Sequence, residues 1–121
     1  MVEAGNPVAS CHCGRATILL PRKPDSVTQC NCSLCTKTGF RGVYFPSEEL
    51  VIAGEFDSYV RGDLKQAYLA NYRCKTCGIV THWTPLSDPP HERIGINARL
   101  LDQAELEGVP VKEVDGASWD E

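Results

Sequence analysis

Seven cysteines fall into three short-spaced groups: "CHC" at Cys11 and Cys13, "CNCSLC" at Cys30, Cys32 and Cys35, and "CKTC" at Cys74 and Cys77. No other feature of the chain restricts its folding as severely. An odd number cannot pair completely, and the two residues of a Cys-x-Cys pair seldom meet disulfide geometry without strain. A free cysteine packs as a small hydrophobe, but random burial does not generate clustered thiols. Zinc accounts for them better: it takes tetrahedral thiolate ligands at about 2.3 Å, and short Cys-x-Cys or Cys-x-x-Cys spacings let one turn supply two of them.

The glycines divide the cysteines into two sites. Cys13 and Cys77 are each followed directly by glycine, a residue free to take positive φ and turn the chain so that backbone N–H groups aim at sulfur. The matching turns group Cys11, Cys13, Cys74 and Cys77 as a closed, structural zinc site that clamps the N-terminal strands to the hairpin begun by "RCKTCG". Cys35 is followed by Thr36 instead. Cys30, Cys32 and Cys35 then form a separate trio, and three protein ligands with the fourth position left to water or substrate is the arrangement of a catalytic zinc. In an extended segment Cys30 and Cys32 project to one face, and a turn starting at Ser33 brings Cys35 round to meet them. The expectation is two zinc ions per chain. A thiolate-rich zinc is electron-rich, which suits a soft thiol ligand better than strong acidification of water.

The rest of the chain reads as mainly β. Short runs rich in Val, Ile, Tyr and Thr, separated by Gly, Pro, Asp and Asn, predict strands at "RATILL", "SVTQC", "GVYF", "LVIAG", "SYVRG", "AYLANYRC", "IVTHWT" and "RIGINAR". "SLCTKTG" predicts about one helical turn capped by Ser33 and ended by Gly39, "PSEEL" a second with Pro46 at its start, and "LLDQAELEG" a brief third. With 121 residues the chain predicts a single zinc-binding domain over 1–121, with an acidic C-terminal tail from about residue 104.

Residues 101–121 hold seven acids against Lys112 alone, within a formal net charge of −4. The dispersed cations of the first 100 residues form no basic stripe, which argues against nucleic acid as a partner. No apolar run approaches the roughly 18 residues that span a bilayer, so no membrane partner is expected. The start "MVEAGNPVAS" has neither the basic residues nor the apolar stretch of a signal peptide, which makes a reducing cytoplasm the expected compartment.

"SCHCG", "CNCSLCTKTG", "YRCKTCG" and "GINARLLD" follow one another in the order and spacing of the glutathione-dependent formaldehyde-activating enzyme family, which the chain resembles over about residues 8 to 103. All seven cysteines coincide with the family's pattern. The resemblance implies a β-tent fold of short antiparallel strands stabilised by zinc, with one Cys₄ structural and one Cys₃ catalytic site, divided as above. It also implies the joining of glutathione and formaldehyde as S-(hydroxymethyl)glutathione, a carbon–sulfur lyase reaction written in reverse. The implied partner is a small-molecule thiol or thiol adduct, glutathione among them, and its carboxylates are expected to meet Lys37 or Arg41. Centromere-associated relatives in animals belong to the same family, so a non-catalytic, zinc-stabilised interaction module stands as the alternative. Redox or formaldehyde sensing by the thiolates is a third reading. B-type methionine sulfoxide reductases share a related zinc-bearing β fold, but they use an isolated nucleophilic cysteine and every cysteine here lies in a metal-spaced group.

None of the three histidines has a spacing that identifies a general base. His12 lies between two ligands and is expected to point away from their metal, His82 in "VTHWT" to be a hydrogen-bonded sheet residue, and His91 after "DPP" to sit in an exposed loop. Asn97 and Arg99 are expected on one face of their strand in a structural role, and Trp119 either docks the tail or frays with it.

Overall fold

In the computed structural model, which describes residues 6–62, 69–86 and 93–115, the short β-prone runs become strands. They are β1 (Val8–Ser10), β2 (Thr17–Leu19), β3 (Val27–Cys30), β4 (Gly42–Pro46), β5 (Val51–Ala53), β6 (Phe56–Val60), β7 (Leu69–Cys74), β8 (Val80–Pro85), β9 (Arg93–Asn97) and β10 (Val111–Val114). One α-helix, α1 (Ser33–Thr38), and 3-10 turns at Ser47–Glu49, Ala98–Leu100 and Gln103–Leu106 complete the described chain. His91 and Trp119 lie outside the described residues.

The strands form a three-stranded sheet in the order β1-β2-β5 and a seven-stranded sheet in the order β10-β3-β4-β9-β8-β7-β6. Every pair is antiparallel except β10 on β3, where Val111–Val114 run parallel beside Val27–Cys30. The fold is mainly β, as expected. Two strands exceed the expectation. β1 is only three residues long, and β10 lies in the segment read as acidic tail, where "VKEV" becomes a strand by pairing with β3 rather than by its own pattern.

Alternation along β4 and β9 sorts their residues between two faces. Val43 and Phe45 stand opposite Ile96 and Ile94, and all four are buried with Val27, Ala9, Ile18 and Leu20 between the two sheets. Burying each larger aliphatic or aromatic side chain there contributes about 1.5–3 kcal/mol before the entropy of ordering it is subtracted. The other face carries Thr28, Cys30, Gly42, Tyr44 and Gly95. Gly95 is required where it stands: a Cβ on it would lie 2.1 Å from Trp83 Nε1, because the indole lies flat on the β9 backbone. The Tyr44 ring meets Trp83 at 5.8 Å from the neighbouring side of β9, over the space that Gly95 leaves.

The sheet curls toward this face at its far edge. β3 and β6 are five strand spacings apart in the sheet order, roughly 24 Å if the sheet were flat, which is farther than an arginine side chain reaches. Arg61, just past β6, nevertheless donates from Nη2 to Ser33 Oγ on α1 at 3.0 Å. Twist and coiling of a long sheet bring such remote ends together. The core and the small sheet fill one face, so the edge returns over the other.

His82 is the sheet histidine the sequence predicts. It is 4% exposed, shares a 2.8 Å hydrogen bond between Nδ1 and Thr81 Oγ1, stacks on Tyr72 at 4.8 Å and meets Phe56 edge-on at 5.0 Å. Burial disfavours its cation and lowers its pKa from 6.5 to about 4. The unfolded chain therefore takes up this proton at a higher pH than the folded one. The stability contributed by neutral His82 is fully present above pH 6.5 and is lost as pH falls toward 4. His82→Gln should lose stability less steeply than the wild type across that window, by up to about 1.4 kcal/mol per pH unit, read from urea midpoints at matched pH. Gly95→Ala should lower stability by about 1–3 kcal/mol in the same unfolding measurement.

Candidate metal centres

The first cysteine group forms where the two sheets meet. Cys11 follows β1 and Cys74 ends β7, both buried, while Cys13 and Cys77 occupy the turns that come after them. Gly14 and Gly78 take φ of 80° and 78°, the turn geometry expected from the "CG" pairs. The chain thereby aims N–H groups at sulfur: Ala16 N donates to Cys11 Sγ at 3.3 Å. Cys77 is held down to about 6 by the N–H of Ile79 first and then that of Cys13. Cys13 receives a favourable Arg15 N–H, but desolvation and the adjoining thiols push it up to about 11.

Donor geometry fits a tetrahedral ion. Bonds of about 2.3 Å to tetrahedral sulfurs require sulfur–sulfur edges of about 3.8 Å. Cys13 Sγ lies 3.6 Å from both Cys11 Sγ and Cys74 Sγ, and all four sulfurs lie within 4.8 Å of one another. Ala16, Phe56 and the cysteines themselves make a small apolar cluster around this point.

Cys30, Cys32 and Cys35 form the second group, again with sulfurs within 4.8 Å of one another. Cys30 ends β3, Cys32 caps α1 and Cys35 lies in its first turn. The cap differs from the sequence expectation: Cys32 Sγ, not Ser33, accepts the Cys35 N–H, at 3.4 Å, while Gly39 ends the helix in the left-handed region as expected. Cys30 Sγ in turn accepts the Cys32 N–H at 3.5 Å. Behind them, β10 holds the connecting loop: Asn31 N donates to Val114 O at 3.2 Å and Asn31 Nδ2 to Asp115 Oδ1 at 3.0 Å. Burial, followed by the neighbouring thiols, pushes Cys35 far above the ordinary thiol range and Cys30 upward as well. Three thiolates this close ionise together only with a cation among them. Among the described residues no fourth His, Cys, Asp or Glu joins the trio, and neither cluster contains histidine.

Lys37 and Arg41 start from positions that differ in how they relate to the sulfurs. Lys37 is two residues beyond Cys35 on α1, a spacing that sends side chains to opposite sides of a helix. Arg41 donates from Nε to Gln29 Oε1 at 2.5 Å and lines a cavity of about 600 Å³ with Val27, Val109 and Val111, on the face of β3 opposite Thr28 and Cys30. His12 is exposed in the turn between Cys11 and Cys13. Asn97 caps the turn after β9 through the Arg99 N–H and donates to Val80 O at 2.8 Å, and Arg99 Nε donates to Gly39 O. Both hold structure together, but they do not share a strand face as expected, because β9 ends at Asn97 and Arg99 lies in the 3-10 turn after it.

A functional neighbour missed in sequence reasoning is Tyr44. Its phenol hydrogen-bonds Thr28, and burial raises its pKa despite that bond. The alternation in "GVYF" was the available signal, since it places Tyr44 with Gly42 on the face of Cys30.

A mainly β domain with two cysteine clusters of metal-binding geometry defines a small class of proteins. Residues 6–114 match the family model for glutathione-dependent formaldehyde-activating enzyme, and the chain belongs to that family. It is also similar to a Rhodobacter sphaeroides protein of known crystal structure, at 27% identity and a TM-score of 0.63, over 87% of this chain and 99% of that one. No helix among the described residues is long and apolar enough to cross a membrane.

The two centres should respond differently to ligand loss. Cys74→Ser should remove one equivalent of metal and abolish cooperative folding, because its sulfur bridges the sheets. Cys35→Ser should also remove one equivalent yet leave the unfolding transition intact. Elemental analysis and thermal melts of the two variants check both outcomes.

Proposed function

We propose that both clusters bind zinc, two ions per chain, and that the trio Cys30, Cys32 and Cys35 is the reactive centre of an enzyme joining a small-molecule thiol to a carbonyl compound. Glutathione and formaldehyde are the pair that family membership points to. The observation that carries this reading is the trio's composition: three converging sulfurs on a concave sheet face, with no fourth ligand among the described residues.

When bound there, zinc would supply thiol activation, lowering the pKa of a substrate thiol so that it reacts as thiolate. The chain's own part is positional. The Cys32 and Cys35 N–H groups fix two of the sulfurs, and β10 fixes the loop between β3 and α1. Holding a thiol beside a carbonyl carbon replaces a bimolecular encounter with an oriented one. In the joining step the sulfur–carbon bond forms, the carbonyl π pair moves to oxygen, and oxygen takes a proton equivalent to the one lost by the thiol. A cytoplasmic setting, where thiols stay reduced, suits this chemistry.

The test is metal content followed by exchange kinetics. Wild-type protein should carry two zinc ions and accelerate exchange between ¹³C-formaldehyde and S-(hydroxymethyl)glutathione, followed by NMR exchange spectroscopy. Cys35→Ser should carry one ion and exchange at the uncatalysed rate. Two tightly held ions with no acceleration would instead favour the zinc-stabilised interaction module.

A further inference from the structure

The sheet face beside the trio holds a cation that the reaction as proposed does not use. The pairings Thr28 with Gly42, Tyr44 with Gly95 and Pro46 with Arg93 place Cys30, Thr28, Gly42, Tyr44 and Arg93 on one face. The Tyr44 ring is folded back along its strand: a Cβ on Gly42 would lie 2.7 Å from the phenol oxygen. Its hydroxyl therefore reaches the level of Thr28, two residues and roughly 7 Å along β3 from Cys30. The sulfurs of Cys35 and Cys30 are near enough to act on it electrostatically.

Arg93 sits on this ring, its guanidinium carbon 4.6 Å from the centroid. A cation held over an aromatic face is oriented and partly desolvated without being neutralised. Among the described residues Arg93 has no carboxylate partner, unlike Arg22, which pairs with Glu49. The acid nearest the trio's loop, Asp115, is bonded to Asn31. Arg61 comes over from β6 and donates to Ser33 Oγ beside Cys32. Of the cations selected from sequence, Arg41 is held by Gln29, and Lys37 leaves α1 on the opposite side from Cys35.

We infer that Arg93, seated on Tyr44, is the specificity-determining residue of the trio's site and receives a carboxylate of the incoming thiol. This rests on the reading of the trio as a thiol site. A guanidinium offers a carboxylate two parallel N–H donors, and the ring beneath fixes the plane in which they are presented. Tyr44 acts on the thiol through Arg93, as a positioning residue.

Binding of glutathione and of its diethyl ester, which keeps the thiol but masks both carboxylates, would be measured by calorimetry on zinc-loaded protein. Wild type should prefer glutathione by about tenfold or more. Arg93→Gln should shrink the gap to about twofold with the ester's affinity unchanged, and Tyr44→Leu should do the same by removing the seat. Lys37→Gln and Arg41→Gln should keep the full preference, and equal zinc content across the set shows that the site is intact. A preference that survives in Arg93→Gln, or a wild type that binds both compounds equally, overturns the inference while leaving the thiol site standing. Failure of both compounds to bind wild type overturns the thiol site and this inference with it.

Discussion

Four thiol groups within 4.8 Å of one another can ionise together only when something positive lies between them, and the rest of the structure depends on how this point is held. Cys11 belongs to the end of the small sheet and Cys74 to the large one, so whatever reconciles the four sulfurs also sets how the sheets cross. The apolar residues between the sheets contribute substantially, but the strands are short and the small sheet has only three of them. Structural zinc in small peptides is bound with about 10–16 kcal/mol, comparable to the whole stability of a domain. An ion bound there would be part of the core.

With the sheets fixed, alternation along the strands divides the work between two surfaces. Val43, Phe45, Ile94 and Ile96 fill one side, and the residues interleaved with them, Gly42, Tyr44, Gly95 and Arg93, face the other. Two of these are glycine, and each lets an aromatic ring lie against bare backbone. The trio sits at the margin of this surface, braced by its own N–H···S contacts and by β10.

Much of this was legible in the sequence. The partition of the cysteines followed from glycine after Cys13 and Cys77, because positive φ is a local demand that a local residue answers. Most strands followed from β-branched and aromatic runs for the same reason. What escaped was nonlocal. "VKEV" is a strand because β3 lies beside it; its charges give no alternating pattern to read. Lys37 and Arg41 are close to the trio along the chain, but helix and strand geometry turn them away from it. Arg93 is far along the chain, and only the register of β9 on β4 brings it to Tyr44. The cap at Cys32 was obscured by Ser33, the more usual capping residue, which the structure places one position into the helix.

A long sheet built from short strands must also avoid its own kind, since an unpaired edge is a template for another copy. β10 forms the edge beside β3, and its central residues are Lys112 and Glu113. Charges on such a strand make it costly for a neighbouring chain to add on and bury them. At the other edge β6 is drawn inward until Arg61 reaches α1. The same curl that gives the sheet a hollow therefore also ties its last strand to α1 through Arg61 and Ser33, so that the tethering of this edge and the shape of the site come from one deformation.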